Sequence, residues 1–356
     1  MILIFLENIN ASNNRNYLLE HYKQNESFNK NTSKQYKDFF EAYQKSLTTY
    51  KSEISQYWKD IEITSNYKYV HYSNNFKQRI ILDYKNSSIT IQVISKDAKI
   101  AQDQIVRNYK KLFILTNRDI FRDELVLRNT YRTLRIIYDT PTNNDLVIGE
   151  FIDDKYKANL IEKVSLEEYK EKTYKHYKYF TSTYKLPKGF KNKNEKRYIN
   201  IIKKHAYKSK IKYSIFVSMI KIKTAFNPYA IDINANFGLM KINANDIGLK
   251  AYFKLYKDKR ILDASYLYNL ENHFEIASTY FTILYFDKFK NIKNKQSRLY
   301  LCILAYEIGT ENTLKLFEDT QDINSLNSSM IYKKILKKLK DRKLRIYFSK
   351  VTRLML

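Results

Sequence analysis

The stretch Ser214-Ile215-Phe216-Val217-Ser218-Met219-Ile220-Lys221-Ile222-Lys223-Thr224-Ala225-Phe226-Asn227-Pro228-Tyr229-Ala230, with Phe237-Gly238-Leu239-Met240 shortly after it, decides the fold. Ile215, Met219 and Ile222, continued by Phe226, fall at three- and four-residue steps. That spacing predicts a helix over 214–224 with one apolar face. Pro228 cannot extend a helical ladder and is expected to stop it. Gly238 is one of only five glycines in the chain. Its presence predicts a bend that lets the backbone pass close to a ligand.

Downstream the pattern stays helical. Apolar spacing predicts helices over 198–206, 271–289 and 298–306, with weaker signals over 312–317 and 330–340. Upstream the period changes. Phe40, Tyr43, Leu47, Tyr50, Ile54 and Trp58 form one face of a helix over 37–58. Ile80, Leu82 and Tyr84 alternate, residues 85–88 turn, and Ile89, Ile91 and Val93 alternate again, which predicts a β-hairpin. Ile105, Tyr109, Leu112 and Leu115 mark a helix over 98–115, and 146–152 reads as a further strand. Residues 186–195, with Pro187, Gly189 and several Lys and Asn, read as a linker. The 356-residue length suits two domains. The expected organisation is a flexible lead-in over 1–35, an α+β domain over 36–185, the linker over 186–195 and an all-α domain over 196–356.

Composition narrows the function. Sixty-four Lys and Arg against 37 Asp and Glu give a net charge of +27. The surplus is spread along the chain together with Asn, Ile and Tyr, with 333–345 its densest run. This reads as a solvated basic surface, and no nucleic-acid partner is expected. Cys302 is the single cysteine. It excludes an intramolecular disulfide framework and an all-cysteine zinc site. His21, His71, His176, His205 and His273 lack ligand spacing, so no metal and no cofactor are expected. No apolar run is long enough to predict a transmembrane helix. Residues 1–6 are apolar but short of a signal core, and no cysteine lies near them to carry a lipid anchor.

Ala225-Phe226-Asn227-Pro228-Tyr229-Ala230 followed by Phe237-Gly238-Leu239-Met240 resembles the lytic murein transglycosylases with a lysozyme-like SLT domain. Their motifs run E-S-x-F-N-P-x-A and then G-L-M-Q. A third motif, A-Y-N-x-G, is similar to Ala305-Tyr306-Glu307-Ile308-Gly309. Residues 276–280 and 297–300 also resemble family positions. The membrane-bound lytic murein transglycosylase C subfamily looks closest. Its N-terminal helix and hairpin resemble 39–58 and 80–94, and its C-terminal elements resemble 331–335 and 347–351. The resemblance implies a lysozyme-like fold for 196–356, peptidoglycan glycan strands as partner, envelope proteins as further partners, and a bacterial periplasmic or envelope location. It also implies that Phe226, Asn227, Gly238, Leu239, Met240, Lys241, Tyr280 and Tyr306 contribute to substrate binding.

The family reaction cleaves the MurNAc–GlcNAc bond without hydrolysis and closes a 1,6-anhydro ring. One glutamate serves as acid and then base. The substrate's acetamido group replaces the second carboxylate of the common glycosidase scheme. The resemblance places Lys223 at that glutamate. Lys241 stands for the Gln of G-L-M-Q, and Glu307 for the Asn of A-Y-N. Three expectations follow. The cleft has lost catalysis and kept glycan binding; or Glu307 or, more weakly, Asp232 supplies a relocated carboxylate; or the fold persists as an envelope scaffold. A Lys223–Glu307 salt bridge across the old active site is a further expectation. A lysine in a last helical turn also suits the helix dipole without any function.

Overall fold

The computed structural model describes residues 12–135, 145–148, 152–169 and 171–355, with side chains from residue 34 onward. The first half opens with α1 (Ser12–Tyr57) and the strands β1 (Lys68–Tyr72), β2 (Gln78–Asp83) and β3 (Ser88–Ile94). Then come α2 (Ala98–Ile114), α3 (Asn117–Asp123), α4 (Leu125–Leu134), α5 (Asp154–Leu166), β4 (Lys172–Tyr174) and β5 (Tyr177–Lys185). The five strands form one antiparallel sheet in the order β1-β2-β3-β5-β4. The predicted hairpin is β2–β3, with Ile80 opposite Ile91 and Leu82 opposite Ile89. Because side chains alternate across a strand, the sheet feeds two cores. Ile80, Leu82, Ile89, Ile91, Val93 and Phe180 pack with Ile105, Tyr109 and Leu112 of α2. Val70, Tyr72, Ile81, Ile94 and Tyr179 on the other face pack with Ile54 and Trp58 at the end of α1. Arg79 is buried between the layers with its guanidinium 4.1 Å from the Trp58 ring centroid.

The second half holds α6 (Phe190–Ser209), α7 (Tyr213–Lys223), the two-residue strands β6 (Asn236–Phe237) and β7 (Ile242–Asn243), α8 (Leu249–Tyr256), α9 (Ala264–Leu267) and α10 (Leu270–Thr282). It ends with α11 (Lys295–Ile308), α12 (Thr310–Lys315), α13 (Ser328–Lys338) and α14 (Arg342–Leu354). Single π-helical turns precede α8 at Ala244–Gly248 and follow α10 at Ile283–Lys288. In α11, Leu301 through Tyr306 are all buried. A helix buried all round is the axis of its core, and the others wrap it. An α+β first part followed by a helical second part is thus the architecture.

Several local expectations are revised. Helix α1 already begins at Ser12, where polar composition predicted a flexible lead-in. No Gly or Pro between residues 12 and 57 interrupts it. Residues 1–11 lie outside the described residues. Of the strand expected over 146–152, Leu146 forms only an isolated bridge to Thr116, and residues 149–151 lie outside the described residues. The stretch 186–195 is no loose connector, for Leu186 and Phe190 are buried against the sheet core and α6 starts at Phe190. The two parts also share packing. Tyr43 and Leu47 of α1 and Val126, Leu127 and Tyr131 of α4 belong to one core with Ile215, Met219 and Leu301. Tyr229 reaches the other way into the sheet core.

Candidate active-site cleft

Two helix ends build the cleft. Helix α7 ends at Lys223, with Thr224 as its cap. The stop is not Pro228. Ala225 and Phe226 both take left-handed backbone (φ 51° and 61°), which turns the chain before the proline. The Thr224 hydroxyl donates to Ile220 O and Leu239 O, tying the helix end to the β6–β7 hairpin. Helix α11 ends at Ile308, with Gly309 at φ 81°. The two C-terminal ends bring Lys223 and Glu307 together.

The Lys223 ammonium is buried, with its side chain 6% exposed, and is bonded to Glu307 Oε1. It also lies 4.7 Å from the Tyr306 ring centroid. Burial lowers the Lys223 pKa; Glu307 pulls the other way without cancelling it, and Lys241 adds to the lowering. The carboxylate in a last helical turn opposes the α11 dipole, and the ammonium offsets it. Removing one partner of such a buried pair typically costs ~3–5 kcal/mol, because the other charge is left stranded.

A second pair flanks the first. Lys241 Nζ is 2.7 Å from Asp232 Oδ2. Burial would raise the Asp232 carboxyl, but Lys241 and hydrogen bonds from Asn236 outweigh it and hold the pKa low. Asp232 Oδ1 also accepts from the backbone N–H of Asn234 and Asn236. Asp232 faces a cavity of about 280 Å³ at the seam with Tyr43 and Glu124. Lys241 and Asn236, which also line a cavity at the Lys223–Glu307 pair, connect it to the cleft. Glu124, at that seam, is pushed up to about 7 by burial.

Two cavities meet at the Lys223–Glu307 pair. The larger, about 570 Å³, runs between Tyr67 and Lys85 of the first part and Leu344 and Tyr347 of α14. The smaller, about 340 Å³, is lined by Asn236, Asn243, Asp246, Tyr306 and Gly309. Lys223, Lys241 and Glu307 line both. The Tyr306 hydroxyl, beside the smaller one, is buried with no hydrogen-bond partner among the described residues.

The other expected binding residues sit behind this wall. Phe226 is buried and stacks on Tyr198, with centroids 6.1 Å apart. Asn227 is fully buried and donates to Ser65 O and Asn66 O while its Oδ1 accepts from Tyr229 N. It fastens the α7 turn to the first part. Leu239 and Met240 are buried. Tyr280 is buried edge-on to Tyr306, centroids 5.6 Å apart. Gly238 makes room for His273. A Cβ there would stand 2.6 Å from His273 Cε1, at φ 72°. His273 itself escaped sequence reasoning. Its Nε2 accepts from Met240 N at 3.0 Å, so Nδ1 carries the proton and donates to Leu267 O at 3.0 Å. Only its place on the apolar face of α10 hinted at burial.

Among the described residues no cluster of three His, Cys, Asp or Glu could hold a metal, and no helix is long and apolar enough to cross a membrane. Residues 200–327 match the family model described as Transglycosylase SLT domain. Membrane-bound lytic murein transglycosylase C of Pectobacterium atrosepticum is 22% identical over 337 residues, covering 92% of this chain and 90% of that protein. The protein of the same name from Photorhabdus laumondii is 28% identical over 174 residues, and the match spans 48% of each. An X-ray structure of an inactive mutant of lytic transglycosylase Slt from Pseudomonas aeruginosa aligns with a TM-score of 0.38 and 14% identity, covering 70% of this chain and 35% of that one. The cleft thus lies in a chain whose second half matches the transglycosylase SLT domain and which is similar, along most of its length, to membrane-bound lytic murein transglycosylase C of Pectobacterium atrosepticum.

Proposed function

We propose that this protein binds peptidoglycan strands in the bacterial periplasm or envelope and cleaves them poorly or not at all. The observation that carries the reading is the buried Lys223 ammonium, ion-paired to Glu307 where the resemblance expects a lone acid/base glutamate. An ammonium there repels the positive charge that develops on the sugar ring, and loss of a general acid typically costs ~10²–10⁴-fold. Cavities on both sides of the pair, and the unpartnered Tyr306 hydroxyl, support retained glycan binding.

A relocated carboxylate has less support. Glu307 is engaged by Lys223, and Asp232 is engaged by Lys241 and turned toward the seam. The scaffold reading draws on the same Lys223–Glu307 closure. The deciding experiment digests purified sacculi with wild type, Lys223→Glu and the double variant Lys223→Glu/Glu307→Asn. Mass spectrometry then scores 1,6-anhydro-muropeptides. The double variant avoids facing two buried carboxylates. We expect no anhydro products from wild type, products from the double variant, and retention of wild type on sacculi. Anhydro products from wild type overturn the impaired reading. No retention on sacculi favours the scaffold.

A further inference from the structure

Six lysines line the larger cavity: Lys85, Lys221, Lys223, Lys241, Lys343 and Lys350. Three are spent on carboxylates, Lys221 on Glu195, Lys223 on Glu307 and Lys241 on Asp232. Lys85, Lys343 and Lys350 have no ion pair among the described residues. Lys85 stands on the β2–β3 turn, 4.8 Å from the Tyr67 ring centroid. Lys343 and Lys350 lie on one face of α14, separated by Ile346 at helical steps of three and four. Asp341, the remaining carboxylate of the wall, is occupied in capping α14 through Lys343 N and Leu344 N. Ile222, Leu344 and Ile346 add apolar surface to the same lining.

We propose that this lysine-rimmed arm takes the carboxylate-bearing peptide side chain of the wall strand, leaving the sugars to the Lys223–Glu307 junction and the smaller cavity. The inference rests on the peptidoglycan reading and names the part of the substrate this arm selects. Where the lactyl carboxyl is spent in the amide to the peptide, the sugars are neutral, carry hydroxyl and acetamido groups, and gain little from three uncompensated ammonium ions. A short peptide with several carboxylates and apolar side chains matches both the lysines and the apolar lining. Three clustered like charges from two segments of chain cost stability unless an opposing charge arrives. The strand's own carboxylates supply it.

Titration calorimetry on the full chain tests this with three probes. One is the GlcNAc–MurNAc disaccharide with its intact peptide. The second is the same disaccharide after amidase hydrolyses the lactyl–peptide amide, which leaves one lactyl carboxylate in place of the peptide's several. The third is the peptide-bearing disaccharide with its carboxylates amidated. We expect the first to bind about tenfold tighter than the others. Lys343→Gln/Lys350→Gln should erase that difference while leaving circular dichroism unchanged and the melting temperature of the free protein no lower than that of wild type. Equal affinity for all three probes overturns the inference, as does a variant that keeps the preference. Inorganic polyphosphate competing as well as the first probe overturns it too, since the arm would then be a general polyanion site. If sacculi still retain the protein in those cases, the peptidoglycan reading stands and only this inference falls. If sacculi and all probes fail to bind, both fall.

Discussion

Gly238 shows how one residue can hold a turn against a buried side chain. Its rarity in the chain marked it, and the structure uses it for a left-handed turn packed on a buried imidazole. Gly238→Ala combines an unfavourable φ with a contact no Cβ tolerates, and His273 is held by Met240 N and Leu267 O, so it cannot step aside. We expect this variant to lose roughly 2–4 kcal/mol in urea unfolding. A loss under 0.5 kcal/mol would show that the hairpin relaxes freely. Lys223 and Glu307 were legible as a pair because each interrupts a recognisable motif. Lys241–Asp232 was not, since nothing in the spacing of two turn residues says that one will face the seam and the other the cleft. Phe226, Leu239, Met240 and Tyr280 were marked as substrate contacts, yet they are buried. An aromatic or apolar residue beside a site looks the same in sequence as one lining it.

At the scale of elements, His273 joins α10 to the β6–β7 turn, and its titration reports on that joint. Burial lowers its pKa to about 4; the bond to Leu267 O opposes this and the Lys223 charge adds to it. The unfolded imidazole titrates near 6.5. Between those values the unfolded chain binds the extra proton, so stability falls as pH falls through that window and is fully present above it. The contribution at stake is about 3 kcal/mol. Urea midpoints of wild type should drop from pH 7 to pH 4.5, and His273→Gln should flatten that slope. An equal slope in both proteins would place the acid sensitivity elsewhere. Elements with clean periods were legible: the β2–β3 hairpin, α2, α7 and α11 follow their apolar spacing. Strand β5 was not, because Tyr177–Lys185 mixes aromatic, hydroxyl and lysine residues without an alternating apolar face, and its partner β3 lies far away in sequence. The end of α7 was misread since two left-handed non-glycine residues leave no signal that outranks a proline.

The whole molecule departs most from a two-domain reading. Periodicity reports the face an element buries and is silent on which core receives it. Thus Tyr43, Leu47 and Val126 look like parts of an N-terminal domain, yet they pack with the α7 and α11 core. Asn227 and Tyr67 add hydrogen bonds across the same seam, Tyr67 donating to Ile222 O at 2.7 Å. Cutting the chain at residue 196 would strip α1 and α4 from that core and expose their apolar counterparts. Each large buried side chain uncovered costs ~1.5–3 kcal/mol, against a total stability of ~5–15 kcal/mol. We therefore expect residues 196–356 alone to bind a hydrophobic dye and to melt without a sharp transition, while the full chain unfolds in one cooperative step. A truncated protein with a sharp melt and no dye binding would mean that the seam adds little. The lysine-rimmed arm gives this coupling a consequence, because Lys85 comes from the sheet and Lys343 and Lys350 from α14. Any ligand held by all three should raise the melting temperature of the full chain and fail to sharpen the melt of the truncated one.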